Sequence, residues 1–179
     1  RESMISKHGR QWVARPIGLM VGWLHAAGVT PNMLTMAGFA LTVVSAVFLG
    51  GGYLRLGGLV LLSAVIFDML DGSLARATDQ SSTFGAFFDS TLDRYSESIT
   101  FLGLVYYYST IPNSRTELAL IFAILVGSMM VSYTRARAEA LQVECKVGIM
   151  QRPERVILLI LGLLSGLMLI TLWIFAIFW

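Results

Sequence analysis

The residues in this sequence best suited to chemistry are four aspartates. Asp68, Asp71, Asp89 and Asp93 lie in the stretch DMLDGSLARATDQSSTFGAFFDSTLD, residues 68 to 93. Asp68 and Asp71 are three residues apart and Asp89 and Asp93 four apart, so on helices each pair shares one face. The intervening RATDQSSTFG is a short polar connection, which makes the two helices an antiparallel hairpin and brings the carboxylates together at one depth. Carboxylates converging in that way repel one another and are poorly solvated, so they are either largely protonated or held by a cation. Oxygen donors without histidine or thiolate favour hard ions, Mg²⁺ or Mn²⁺. Four carboxylates suffice to bridge two such ions, an arrangement suited to clamping phosphate oxygens during an in-line displacement. A purely structural role, pairing two helices without an ion, accounts poorly for four acids on one hairpin.

The neighbours of the aspartates point the same way. Gly72 and Gly85 remove side chains beside the acids and allow close approach of a backbone or a flat ligand. Ala75, one turn beyond Asp71, keeps that face low. Arg76, two turns beyond Asp68, is placed to meet a diphosphate bidentately. Small residues in membrane helices also serve tight helix packing, and Gly72 alone fits either use. Together with Asp71 and Arg76 it reads better as part of a nucleotide seat.

The elements that carry these residues belong to a membrane protein. The chain has 179 residues, of which 56% are hydrophobic and 13% charged; soluble domains carry about 25% charged residues. One domain is the expectation at this length. Spans of about 20 apolar residues cross a bilayer, and such stretches lie at about 33–52, 56–78, 84–108, 117–140 and from 154 onward. The last is interrupted at GLLSGLM, where Gly162, Ser165 and Gly166 mark a turn between a fifth helix and a sixth that is cut short. One long tilted helix is the alternative there. The expected fold is therefore an all-α integral membrane bundle of six transmembrane helices over residues 31–179, preceded over 1–30 by an amphipathic helix lying in the interface. In that first segment Lys7, Arg10 and Arg15 interleave with Trp12, Val13, Ile17 and Trp23. Thr30 is placed to cap the first span and Pro31 to begin it.

Charge distribution orients the bundle. Arg1, Lys7, Arg10, Arg15, Arg76, Arg94, Arg135, Arg137, Lys146, Arg152 and Arg155 fall on the side of the N-terminus, and only Arg55 and Arg115 on the other. Positive charge marks the cytoplasmic side, so the N-terminus and all four aspartates are cytoplasmic, in the cell membrane. No secretory signal is expected from the basic, intermittently apolar N-terminus. Cys145 is the single cysteine, so no internal disulfide forms, and a redox or zinc role has no partner residues.

Written as spacing, the central stretch is Asp68-x2-Asp71-Gly72-x2-Ala75-Arg76-x8-Gly85-x3-Asp89-x3-Asp93. It resembles the signature of the CDP-alcohol phosphotransferase (phosphatidyltransferase) family at every fixed position, and TPNMLT at the start of the first span is similar too. The resemblance implies transfer of a phosphatidyl-type group from a CDP-linked lipid, CDP-diacylglycerol or a relative, to an alcohol, with release of CMP. It implies that Asp68, Asp71 and Asp89 bind two divalent metals, that Asp93 completes the site and acts as the base, and that Thr35, Gly72, Ala75, Arg76 and Gly85 line the CDP-lipid site. It also implies a homodimer, and no nucleic-acid partner is expected.

For the acceptor, Arg135, Arg137, Lys146, Arg152 and Arg155 gather near the same membrane edge. They read either as a belt for lipid headgroups or as a pocket for a phosphorylated alcohol, with Arg135, Arg137, Lys146 and Arg155 on its phosphate. Arg135 and Arg137, two apart on a helix, face different ways. DSTLDR, SYTRARAE and the later PER resemble the phosphatidylinositol phosphate synthase branch and its archaeal counterparts, which implies inositol 1-phosphate as acceptor. Glycerol 3-phosphate or another alcohol is the alternative. From other classes, a cation transporter predicts acids spread through the bilayer depth, and a helix-bundle interaction protein has no need of Gly72, Ala75 and Arg76 at set spacing. Glu97, one turn past Asp93, is left open between a supporting role in the site and simple helix packing.

Overall fold

The computed structural model describes residues 20, 22–24, 26–78, 82–143 and 152–178, the side chain of Arg152 excepted. No strand occurs among the described residues, and from Pro31 onward six helices follow one another: α1 (Pro31–Gly50), α2 (Leu54–Ala77), α3 (Thr83–Ser109), α4 (Arg115–Ala140), α5 (Arg152–Ser165) and α6 (Met168–Phe178). The interfacial helix expected over 1–30 lies largely outside the described residues, as does Lys146.

The helix ends follow from the sequence. Thr30 caps α1, its Oγ1 accepting from the Met33 amide at 3.4 Å, with Pro31 in the first turn where no amide is required. Ser82 caps α3 in the same manner, accepting from the Gly85 amide at 2.9 Å. The turn from α1 to α2 contains Gly52 at φ 84°, and the turn from α5 to α6 contains Gly166 at φ 78°, a conformation that other residues adopt at a cost. The break expected near Gly166 is thus a real one, and the terminal apolar stretch is two helices.

By length and composition, α1, α2 and α4 are apolar enough to cross a membrane, and α6 is a shorter apolar helix. The 27-residue α3 is long enough but carries Asp89, Asp93, Arg94 and Glu97, and the 14-residue α5 is short. Large apolar side chains stand exposed along these helices, among them Val47, Leu102 and Phe122. That pattern suits lipid rather than water as the surrounding medium.

Two compact units divide the chain. The first, residues 1–40 and 63–92, holds the start of α1, the end of α2 and the start of α3. Its apolar core is Leu34, Leu70 and Leu74, with Leu24, Val29 and Phe67 packed on it. Gly38 lets α1 approach α2 closely: a Cβ there would lie 3.3 Å from the Ala64 carbonyl oxygen. The second unit, residues 41–62 and 93–179, is cored by Leu49, Phe101, Leu104, Ile121, Ile124, Leu163, Leu172 and Phe175. Within it α6 packs on both α4 and α5. Ser45 donates to the Gly57 carbonyl at 2.8 Å, satisfying a buried hydroxyl where α1 and α2 meet.

Candidate active site

In the first unit the end of α2 and the start of α3 bring three of the four aspartates together. Asp68, Asp71 and Asp89 each present a carboxylate oxygen, and these oxygens lie within 4.8 Å of one another. The spacing follows from the helices: Asp68 and Asp71 share a face of α2, and Asp89 follows the Ser82 cap of α3 by two turns. Asp71 is the most shielded of the three, at 7% exposure. Its Oδ2 accepts a 2.6 Å hydrogen bond from Thr35 Oγ1 on α1. That distance is typical of a hydroxyl on an ionised acceptor. Thr35 is itself buried, and the bond fixes one carboxylate oxygen of Asp71.

The three aspartates fit a hard divalent cation. Each donor is a carboxylate oxygen, and no histidine or thiolate intrudes among the clustered residues. Oxygens ligating one Mg²⁺ or Mn²⁺ at about 2.1 Å stand at most about 4.2 Å apart, so the observed spread closes with small side-chain rotations.

Beside Asp71 and Asp89 opens a cavity of about 170 Å³ lined by Pro31, Asn32, Thr35, Asp71, Gly72, Ala75, Arg76, Ser82, Gly85, Ala86 and Asp89. All five residues assigned to the CDP-lipid site by resemblance are on its wall. The Arg76 guanidinium lies over Gly72, with Nη1 3.3 Å from where a Cβ would stand. Gly85 would bring a Cβ to 3.1 Å from Ser82 Oγ. Pro31, Asn32, Ser82 and Ala86 were not assigned to the site from sequence. The signals for two of them were local: Asn32 stands one turn before Thr35 on α1, and Ser82 stands three residues before Gly85, the spacing of a helix cap.

The remaining candidates belong to the second unit. Asp93, one turn beyond Asp89 along α3, is 9% exposed, and its Oδ2 lies 3.7 Å from Arg94 Nη1. Arg135 and Arg137 are both exposed near the end of α4. Arg155, on α5, is 6% exposed, and its Nη2 stands 3.6 Å from Oε2 of Glu97 on α3. Glu97, left open from sequence, therefore meets a named cation.

Comparison with known proteins agrees with this geometry. The profile of the CDP-alcohol phosphatidyltransferase family matches residues 28–179. The phosphatidylinositol phosphate synthase of Mycobacteroides abscessus is 35% identical over 154 residues, covering 86% of this chain and 70% of that one. The archaetidylinositol phosphate synthase of Pyrococcus horikoshii is 37% identical over 163 residues, 89% of this chain and 81% of its own. The crystal structure of phosphatidylinositol phosphate synthase from Mycobacterium tuberculosis with CDP-DAG bound superposes with a TM-score of 0.82 at 30% identity, covering 92% of this chain and 87% of that one. The same enzyme in complex with manganese and citrate gives a TM-score of 0.81 at 30% identity, over 90% and 82% of the two chains.

Proposed function

The chain belongs to the CDP-alcohol phosphatidyltransferase family, and on that premise we propose that it transfers a phosphatidyl group from CDP-diacylglycerol to a hydroxyl of inositol 1-phosphate. The products are phosphatidylinositol phosphate and CMP. The observation that carries the reading is the cluster of Asp68, Asp71 and Asp89, two of which, Asp71 and Asp89, line a cavity shared with Gly72, Ala75, Arg76 and Gly85. The enzyme is a multi-pass membrane transferase that depends on divalent metal. Inositol 1-phosphate as the acceptor is supported by similarity to phosphatidylinositol phosphate and archaetidylinositol phosphate synthases and by the phosphate-seeking cations of the α4–α5 region.

In this reading Asp68, Asp71, Asp89 and Asp93 would hold two divalent ions, Mg²⁺ or Mn²⁺. Such ions would supply positive charge to a diphosphate and to a departing CMP. Thr35 keeps Asp71 oriented through its hydroxyl. Gly72, Ala75 and Gly85 leave room for the cytidine nucleotide, and Arg76 meets the diphosphate. Asp93 accepts the proton of the attacking hydroxyl as its oxygen bonds to the phosphatidyl phosphorus and the bond to CMP breaks. Arg135, Arg137, Lys146 and Arg155 hold the phosphate of the acceptor. The enzyme works as a homodimer of six-span protomers in the cell membrane, with the amphipathic N-terminal helix and the active site on the cytoplasmic face.

The test is CMP release from CDP-diacylglycerol by purified protein in detergent with Mg²⁺ or Mn²⁺. Inositol 1-phosphate, glycerol 3-phosphate, free inositol and serine are offered separately. Release with inositol 1-phosphate alone is expected, and chelation of the metal abolishes it. Release with glycerol 3-phosphate instead keeps the aspartate chemistry and replaces the acceptor.

A further inference from the structure

Five cations were candidates for holding the acceptor phosphate or for a headgroup belt, and burial separates those that the structure describes. A belt arginine stands exposed; Arg135 and Arg137, exposed at the end of α4, fit either use. Arg155 is buried instead: its side chain is 7% exposed and lies against Glu97, whose side chain is 14% exposed. Both residues are in the second unit, on α5 and α3. A long cationic side chain in a membrane protein extends to the interface unless an opposite charge holds it inside. Glu97 supplies that charge.

The form of the contact matters as much as its presence. At 3.6 Å the pair is an ionic contact, longer than the roughly 2.8 Å of a charge-assisted hydrogen bond. Glu97 thus restrains the position of the guanidinium without clamping it in a bidentate fork. A phosphate dianion, with more charge and more acceptor oxygens, competes well for such a group. Glu97 also stands four residues beyond Asp93 on α3, so the two share one helix face. The pair therefore presents a cation to the same face that carries the proposed base.

We propose that Glu97 is a positioning residue for the acceptor, holding Arg155 inward where it meets the phosphate of the alcohol substrate. The inference rests on the acceptor reading above, and it differs from a merely structural ion pair in what it does to kinetics. A structural pair supports stability alone. A positioning pair sets the affinity for one substrate and not the other.

Steady-state kinetics of Glu97→Gln, Arg155→Gln and the double variant distinguish these roles, with melting temperature followed in parallel. Glu97→Gln keeps the volume and removes the charge. It is expected to raise KM for inositol 1-phosphate about tenfold, the scale of coupling found for residues in contact, and to leave KM for CDP-diacylglycerol unchanged. The inhibition constant of inorganic phosphate, tested as a competitor of the acceptor, should rise in step. In the double variant Glu97→Gln should add nothing to the effect of Arg155→Gln. Glu97→Asp, which keeps the charge at shorter reach, should fall between wild type and Glu97→Gln, and it carries the test if Glu97→Gln does not fold. A lower melting temperature with unchanged acceptor KM in both Glu97 variants overturns the proposal and leaves a structural pair. If Arg155→Gln itself leaves acceptor KM unchanged, the assignment of Arg155 to the acceptor fails and Glu97 falls with it. If only Arg155→Gln raises KM, the acceptor reading stands and the role of Glu97 alone is lost.

Discussion

At the scale of the residue, Thr35 shows how one hydroxyl can fix the orientation of a neighbouring carboxylate. Resemblance assigned Thr35 to the CDP-lipid site, and it does line the cavity, but its proton goes to Asp71 at 2.6 Å. Asp71 is thereby held with one oxygen committed, which limits the ways it can meet an ion. Groups that orient metal ligands are worth about 10- to 100-fold in metal affinity or activity when removed. Thr35→Val keeps the shape and deletes the donor. It is expected to raise the Mn²⁺ concentration needed for half-maximal CMP release by about 10-fold or more, while KM for the acceptor is unchanged. Thr35→Ser should restore most of the loss. A metal titration of CMP release in the three proteins checks this, and a Thr35→Val enzyme with wild-type metal dependence would remove the orienting role.

At the scale of the element, glycines decide how closely the helices approach, and two of them separate packing from chemistry. A Cβ on Gly103 of α3 would stand 2.5 Å from the Ala46 carbonyl oxygen and 3.0 Å from its Cα, so backbone must move. A Cβ on Gly72 of α2 would meet only the tip of Arg76, at 3.3 Å, and a flexible guanidinium can swing away. Gly103→Ala is therefore expected to cost about 1–3 kcal/mol of stability, as overpacking does, and to lower the melting temperature in detergent. Gly72→Ala should melt like wild type and raise KM for CDP-diacylglycerol, because the displaced residue is Arg76. If the two variants behave alike, Gly72 is a packing residue only. The same contrast explains what could be read from sequence. Helix ends at Thr30 and Gly166, and the shared faces of Asp68 with Asp71 and of Asp89 with Asp93, depend on neighbours a few residues away, and these were legible. The Thr35–Asp71 bond joins residues 36 apart, and the Glu97–Arg155 pair joins α3 to α5. Those partners are chosen by tertiary packing, which local spacing does not encode.

At the scale of the whole molecule, the exposed apolar side chains of the helices and the skewed distribution of charge must be reconciled by one orientation in the bilayer. On the six-span reading, only Arg55 and Arg115 of the 13 lysines and arginines fall outside the side of the N-terminus. Arg115 begins α4 just after the α3–α4 connection; the proposed orientation puts that connection on the outer face and the stretch between α4 and α5, where Cys145 lies in the sequence, on the cytoplasmic face. The proposed chemistry calls for the same orientation, because a nucleotide-linked donor and released CMP belong to the cytoplasm. Cys145 is the only cysteine, so it serves as a native reporter. A membrane-impermeant maleimide should label it in inverted vesicles and not in right-side-out ones. With Cys145 replaced by serine, Pro112→Cys, exposed in the α3–α4 connection, should show the opposite pattern. Labelling of both positions from one side would mean that α4, the helix between them, does not cross the membrane. Reversal of both patterns would put the aspartates on the face that lacks the nucleotide, and the cytoplasmic assignment of the active site would fall.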